Sequence, residues 1–141
     1  MSALVVDAQF WIARFHPGDQ WHERAREAEE MVEDRLLVTG EAVLVEFLNF
    51  FSGFRPAIRQ EAAHVAAEIH EGSSIDVVAS SSRLFQRGCR FYKRRPDKTY
   101  SMVDCMSMVI MRDRDLTEVL TNDDHFVQEG FTILLGNDNV G

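Results

Sequence analysis

Four acids in this chain sit where a carboxylate is costly. Asp7 follows the apolar run Leu4-Val5-Val6, and Asp123 follows Val119-Leu120-Thr121-Asn122. Glu46 and Asp104 lie inside the apolar stretches Val43–Phe51 and Met102–Met111. Withdrawing an ionised carboxylate from water costs on the order of several kcal/mol unless a partner compensates it. No Lys or Arg stands three or four residues from Glu46. Each helical acid is followed three positions on by a small polar residue, Asn49 or Ser107, which helical geometry puts on the same face. A divalent cation would supply the missing charge. Carboxylates with water suit Mg²⁺, or Mn²⁺ in its place, and not Zn²⁺.

Each acid also has a local reading. Ser101-x-x-Asp104 is a capping-box pattern with Asp in place of Glu. Asp123 can cap a short helix after it, and Asp7 can cap the turn that follows. Glu46 is too deep in its helix to cap it, so its alternative is exposure or a local partner. Taken singly these readings stay open; the joint pattern of two acids at strand ends and two on apolar helices points to one pocket. His125, two residues after Asp123, is read as structural ahead of substrate contact. The acids at Glu23, Glu27, Glu29, Glu30 and Glu33 read as a solvated helix face. His64 and His70 form no HExxH, and the chain lacks GxGxxG, GxxxxGK[ST] and GxSxG, so dinucleotide, P-loop and esterase readings have no support.

The elements that must position these acids are legible as punctuation. Short apolar strands are expected at 4–6, 36–38, 75–78, 118–121 and 131–135. Helices are expected at 8–15, at 20–34 (Trp21, Ala25, Ala28 and Val32 at helical spacing) and at 40–52, with Thr39 as a cap. Further helices are expected from Pro56 to Gly72, from the Ser80-Ser81-Ser82 cap to about 95, from Ser101 to about 113, and at 123–129. Strands alternating with helices imply right-handed crossovers, a parallel sheet covered on both faces and a doubly wound three-layer α/β fold. Ligands of such folds bind beyond the carboxyl ends of strands, where Asp7 and Asp123 fall.

Length and composition set the outer limits. The chain has 141 residues, 45% hydrophobic and 27% charged, which suits one domain over 1–141 and excludes disordered or disulfide-framework classes. No apolar run is long enough for a membrane span, and the N-terminus reads as a first strand and not as a leader. Cys89 and Cys105 form no CxxC pair and are read as buried thiols of a reduced, cytoplasmic protein. The net charge of −8 speaks against bulk coating of nucleic acid.

On these residues the sequence resembles the PIN domain, and most of all its VapC-type toxin ribonucleases. The stretches that carry the likeness are Val5-Val6-Asp7, Thr39 to Asn49 around Glu46, Val103-Asp104-Cys105-Met106-Ser107 and Leu120-Thr121-Asn122-Asp123-Asp124-His125-Phe126. The resemblance implies a five-stranded parallel sheet of order 3-2-1-4-5, with Asp7, Glu46, Asp104 and Asp123 as catalytic, metal-binding acids. In that scheme Asp124 is peripheral and Thr121 supports the metal shell. It further implies Mg²⁺-dependent hydrolysis of RNA phosphodiester bonds leaving a 5′ phosphate, a small cognate antitoxin, and a homodimer. A stand-alone PIN nuclease of RNA processing and a non-catalytic PIN-like interaction module are the alternatives, and the presence of all four acids argues against the second. A phospho-accepting receiver also places acids at strand ends, but it usually pairs them after the first strand and carries a late Lys. Here Asp7 is single and no Lys follows Lys98.

Charge is unevenly spread. Residues 83–98 hold seven basic residues against Asp97 alone, leaving the rest of the chain strongly acidic. Arg83, Arg87, Arg90 and Arg94 form one helical stripe, expected to pair with the acidic helix near 20–34, to follow an RNA backbone or to dock an acidic partner. Phe91 and Tyr92 beside the stripe could stack on bases, with Phe91 read as core ahead of that role.

Overall fold

In the computed structural model, which describes residues 2–136, alternate residues of the first strand face opposite ways and each face has its own cover. Five parallel strands, β1 (Leu4–Val6), β2 (Leu37–Gly40), β3 (Ile75–Val78), β4 (Glu118–Leu120) and β5 (Thr132–Ile133), pair in the order β3-β2-β1-β4-β5. The seven helices are α1 (Ala8–Phe15), α2 (His22–Met31), α3 (Glu41–Phe50), α4 (Pro56–Glu71), α5 (Ser82–Lys93), α6 (Met102–Asp113) and α7 (Asp124–Gln128). Leu4, Val6 and Leu120 pack against α1 to α4. Val5, Val38 and Val119 pack against α5, α6 and α7. This is the three-layer architecture and strand order expected. It differs from the 2-1-3-4-5 order of receiver domains, which sets that rival aside.

The order fixes the crevice. β1 is followed outward by β2 and β3, and the chain then crosses to β4 on the other side of β1. The register pairs Val6 with Leu120, so the residues that follow each strand emerge side by side. The turn into α1 is held by a relay: the Trp11 indole donates to Thr39 Oγ1 (3.2 Å), and Thr39 donates to the Val6 carbonyl (2.9 Å). On the same side, edge-to-face contacts among Phe15, Phe47, Phe51 and Phe54, with centroids 4.9–5.7 Å apart, lock α3 to α1.

Several expectations change in detail. Thr39 is not a helix cap: it is a fully buried strand residue, and Gly40 occupies the N-cap of α3 without a side-chain bond. The acidic helix spans His22–Met31, shorter than 20–34, because Val32 closes it in a non-helical conformation. The third helix is not buried all round, since Val45, Leu48 and Phe50 are exposed. α6 does match that description, being buried without a break from Asp104 to Met111. Cys89 is exposed and Cys105 alone is buried; both are free. The arginine stripe does not pair with the acidic helix, because α5 and α2 lie on opposite faces of the sheet and the α2 acids Glu23 and Glu29 meet Arg26 and Arg14.

Candidate active site

A cleft of about 650 Å³ opens at the carboxyl ends of β1 and β4, and Asp7, Glu46, Asp104 and Asp123 all line it. Asp7 arrives from β1, Glu46 from the middle of α3, Asp104 from the first turn of α6, and Asp123 from the N-cap of α7. Among the described residues, no lysine or arginine lines this cleft.

Asp7 is 4% exposed. One carboxylate oxygen, Oδ2, accepts from the buried Thr121 hydroxyl at 2.8 Å. The other, Oδ1, is buried and has no hydrogen-bond partner among the described residues. Although Asp7 occupies the N-cap position of α1, its side chain makes no capping bond. Burial, then the Asp104 charge, push its pKa up from 3.8 to about 7, with Glu46 adding to the rise and the Thr121 hydrogen bond opposing it. Glu46 is half-buried, and among the described residues it has no hydrogen bond or ion pair. Burial first, then Asp104 and Asp123, raise its pKa.

Asp104 and Asp123 carry both of their readings at once. The capping box is complete: Ser101 Oγ accepts from the Asp104 amide and Asp104 Oδ2 accepts from the Ser101 amide, each at 3.0 Å. Asp123 caps α7 by accepting from the His125 amide at 2.9 Å. Capping therefore orients these acids toward the cleft and does not divert them from it. His125 joins them: its Nδ1 lies 2.9 Å from Asp104 Oδ2, and its Nε2 lies 3.0 Å from Thr99 Oγ1. Asp104, Asp123 and His125 each offer a ligand atom within 4.8 Å of the others. Asp7 and Glu46 line the same cleft outside that tight group.

Other residues fall as follows. Asn49 lines the cleft with Glu46, but Ser107 is buried and does not. Asp124 is exposed and outside it. Gln9 and Asp19 line the cleft and were not singled out in the sequence. Gln9 Oε1 accepts from the Asn122 amide at 3.0 Å, tying α1 to the β4 end. Gln9 stands in the first turn of α1 and Asp19 follows Gly18 in a turn, positions whose residue types carry no chemical signature of a site. His125 had a visible signal, its spacing of two from Asp123.

The chemical capacity follows from the donor set. Five carboxylates, Asp19 among them, and an imidazole line an open cleft, and the orphaned Asp7 oxygen demands a cationic or hydrogen-donating partner. Hard oxygen donors of this kind fit Mg²⁺ or Mn²⁺. No family model matches the chain, and no curated protein matches it. Solved structures do. VapC20 of Mycobacterium tuberculosis, a toxin that cleaves the sarcin-ricin loop, superposes with a TM-score of 0.82 at 24% identity, covering 92% of this chain and 96% of that one. VapBC2 of Rickettsia felis, bound to a DNA fragment of its promoter, gives 0.68 at 9% identity over 95% and 98%. FitAcB of Neisseria gonorrhoeae gives 0.60 at 14% identity over 95% and 96%. Strand order, helix placement and near-complete mutual coverage identify the fold of this chain as PIN-like, the fold it shares with these toxin and toxin–antitoxin structures.

Proposed function

We infer that this chain, acting as one domain, is a metal-dependent endoribonuclease that hydrolyses RNA phosphodiester bonds in the acid cleft, as the toxin of a toxin–antitoxin pair. The observation that carries the reading is the buried Asp7 oxygen, unpartnered among the described residues, in a cleft lined by four further acids (Asp19, Glu46, Asp104 and Asp123) and by no described lysine or arginine. The fold shared with VapC20 gives that cleft a precedent in RNA cleavage.

Asp7, Glu46, Asp104 and Asp123 would hold Mg²⁺, with Mn²⁺ as a substitute. A bound ion of this kind supplies Lewis acidity at a phosphate and lowers the pKa of a coordinated water. The chain's own residues do the positioning. Thr121 fixes one Asp7 oxygen and leaves the other without a partner among the described residues. Ser101 and His125 both hold Asp104, so its carboxylate is oriented before any ligand enters. No serine, cysteine or histidine is arranged as a protein nucleophile here, which suits direct attack by water.

A cognate antitoxin is proposed as partner. VapBC2 and FitAcB support it, and two exposed apolar spots on α3, Phe50 at the cleft and Val45 with Leu48 in the hollow against α4, offer it apolar contacts. A homodimer and a cytoplasmic location remain part of the proposal. No helix among the described residues is long and apolar enough to cross a membrane.

The test is RNA cleavage in Mg²⁺ by the wild type, Asp7→Asn and Asp104→Asn, with unfolding curves to confirm that both variants fold. The wild type cuts and both variants lose cutting. Equal rates in all three overturn the site assignment.

A further inference from the structure

The second concentration of charge lies against the same helix as the acids but on another part of its surface. α5 and α6 approach closely because Gly88 has no side chain: a Cβ there would stand 2.8 Å from Met102 Cε and 2.9 Å from Met106 Cγ. Beside this contact runs a groove of about 280 Å³. Arg87, Arg90 and Arg94 enter it from α5 and its C-cap, Arg95 from the following turn, and Arg112 from α6. Its apolar floor, Phe91 and Val109, is already buried, and the Arg95 guanidinium lies 3.6 Å over the Phe91 ring.

Internal partners neutralise only part of this charge. Arg87 forms a two-pronged pair with Asp113. Glu129 accepts from both Arg95 and Arg112. Among the described residues, the exposed side chains of Arg90 and Arg94 have no hydrogen-bond or ion-pair partner. Five guanidiniums against two carboxylates leave a net positive groove in a chain whose total charge is −8.

We propose that the α5–α6 groove binds the phosphate backbone of structured RNA outside the acid cleft, an inference that rests on the ribonuclease reading. Successive arginines on one helix face rise by about 4.5–6 Å, which suits repeated anions along a strand. The guanidinium fork matches phosphate oxygens with two parallel hydrogen bonds. A protein partner would seek apolar anchors at the centre of its interface, and this groove exposes none. The exposed aromatics of α5, Phe85 and Tyr92, leave the helix on its other flank and line no part of it. Arg112 lies about 12 Å along α6 from Asp104. An RNA fold of more than a few nucleotides therefore spans both regions, whereas a trinucleotide fills the cleft alone.

The test compares the full-length wild type with the double variant Arg90→Ala/Arg94→Ala. Binding of a labelled RNA hairpin is measured in EDTA across a salt series. Cleavage of a trinucleotide is measured in Mg²⁺, and self-association by sedimentation. The groove predicts hairpin affinity about tenfold weaker in the variant, with a salt slope shallower by about one to two. Trinucleotide cleavage and sedimentation stay unchanged. Equal hairpin affinity and slope in a wild type that cuts RNA overturn the groove while leaving the ribonuclease reading intact. A wild type that neither binds nor cuts RNA overturns both. A variant altered only in self-association makes the groove a protein interface and ends the RNA proposal.

Discussion

The two charged regions beside α6 handle their charge in opposite ways. On the arginine side, Asp113 and Glu129 answer three of the guanidiniums directly, and the two left over are exposed to water. On the acid side, the protein answers Asp7, Asp104 and Asp123 with a hydroxyl, backbone amides and one imidazole, and Glu46 has no partner among the described residues, although the chain holds 15 lysines and arginines. Exposed like charges are tolerable because water screens them. A buried carboxylate with a bare oxygen is not, and Asp7 meets that description at 4% exposure. The contrast locates the demand for an external cation in the acid cleft and the capacity for an external anion in the groove.

The largest effect separates the regions by chemistry. Asp104→Asn should lower RNA cleavage by more than about 100-fold, while Arg90→Ala/Arg94→Ala leaves trinucleotide cleavage unchanged. Comparable losses from both would erase the distinction.

The next effect is on stability and has the opposite sign. The folded pKa of Asp7, about 7, lies above its ordinary value of 3.8. An acid shifted upward binds more protons folded than unfolded, so its contribution is complete below about pH 4 and is lost as pH rises through about 7. Without metal, Asp7→Asn should therefore be more stable than the wild type at pH 8, by up to about 4 kcal/mol. The two should converge toward pH 4. Denaturant melts in EDTA at both pH values measure this. A variant less stable at pH 8 would show that Asp7 is satisfied as an anion by the protein itself.

Smaller effects sharpen each side. Ser101→Ala removes one half of the capping box and should cost about 1 kcal/mol by thermal melting, with a cleavage loss well short of that of Asp104→Asn because His125 still holds the carboxylate. Asp113→Asn releases Arg87 from its pair. Hairpin RNA affinity should then rise a few-fold at low salt, while stability shifts by less than about 1 kcal/mol, as for other exposed pairs. Lower affinity would contradict a groove that works through net charge.

Much of this was legible in the sequence because strand ends and helix caps are written locally. Apolar triplets ending in Asp7 and preceding Asp123, Pro56 opening a helix, Gly72 closing it and Ser101 with Asp104 all appear as read. The strand order came from resemblance, since alternation of strands and helices does not say on which side of β1 each strand lands. What stayed hidden depends on contacts distant in sequence. Thr39 is a strand residue because it pairs with Val77 of β3, and its hydroxyl is taken up by Trp11, 28 positions away. The outer face of α3 is exposed although its sequence is apolar, because α4 covers only part of it. Cys89 and Cys105 differ in burial because Cys105 lies in the continuously buried stretch of α6 whereas Cys89 lies on the water-facing side of α5. Gln9 and Asp19 enter the cleft only through the turn geometry around α1.

The most direct test of the acid cleft is calorimetric titration of Mn²⁺ into the wild type and Asp7→Asn at pH 8 and pH 5.5. The wild type is expected to bind at pH 8 and more weakly at pH 5.5, where a proton competes for Asp7, and Asp7→Asn is expected to show no comparable binding. Equal binding by both proteins at pH 8, or no binding by the wild type, would contradict the metal site.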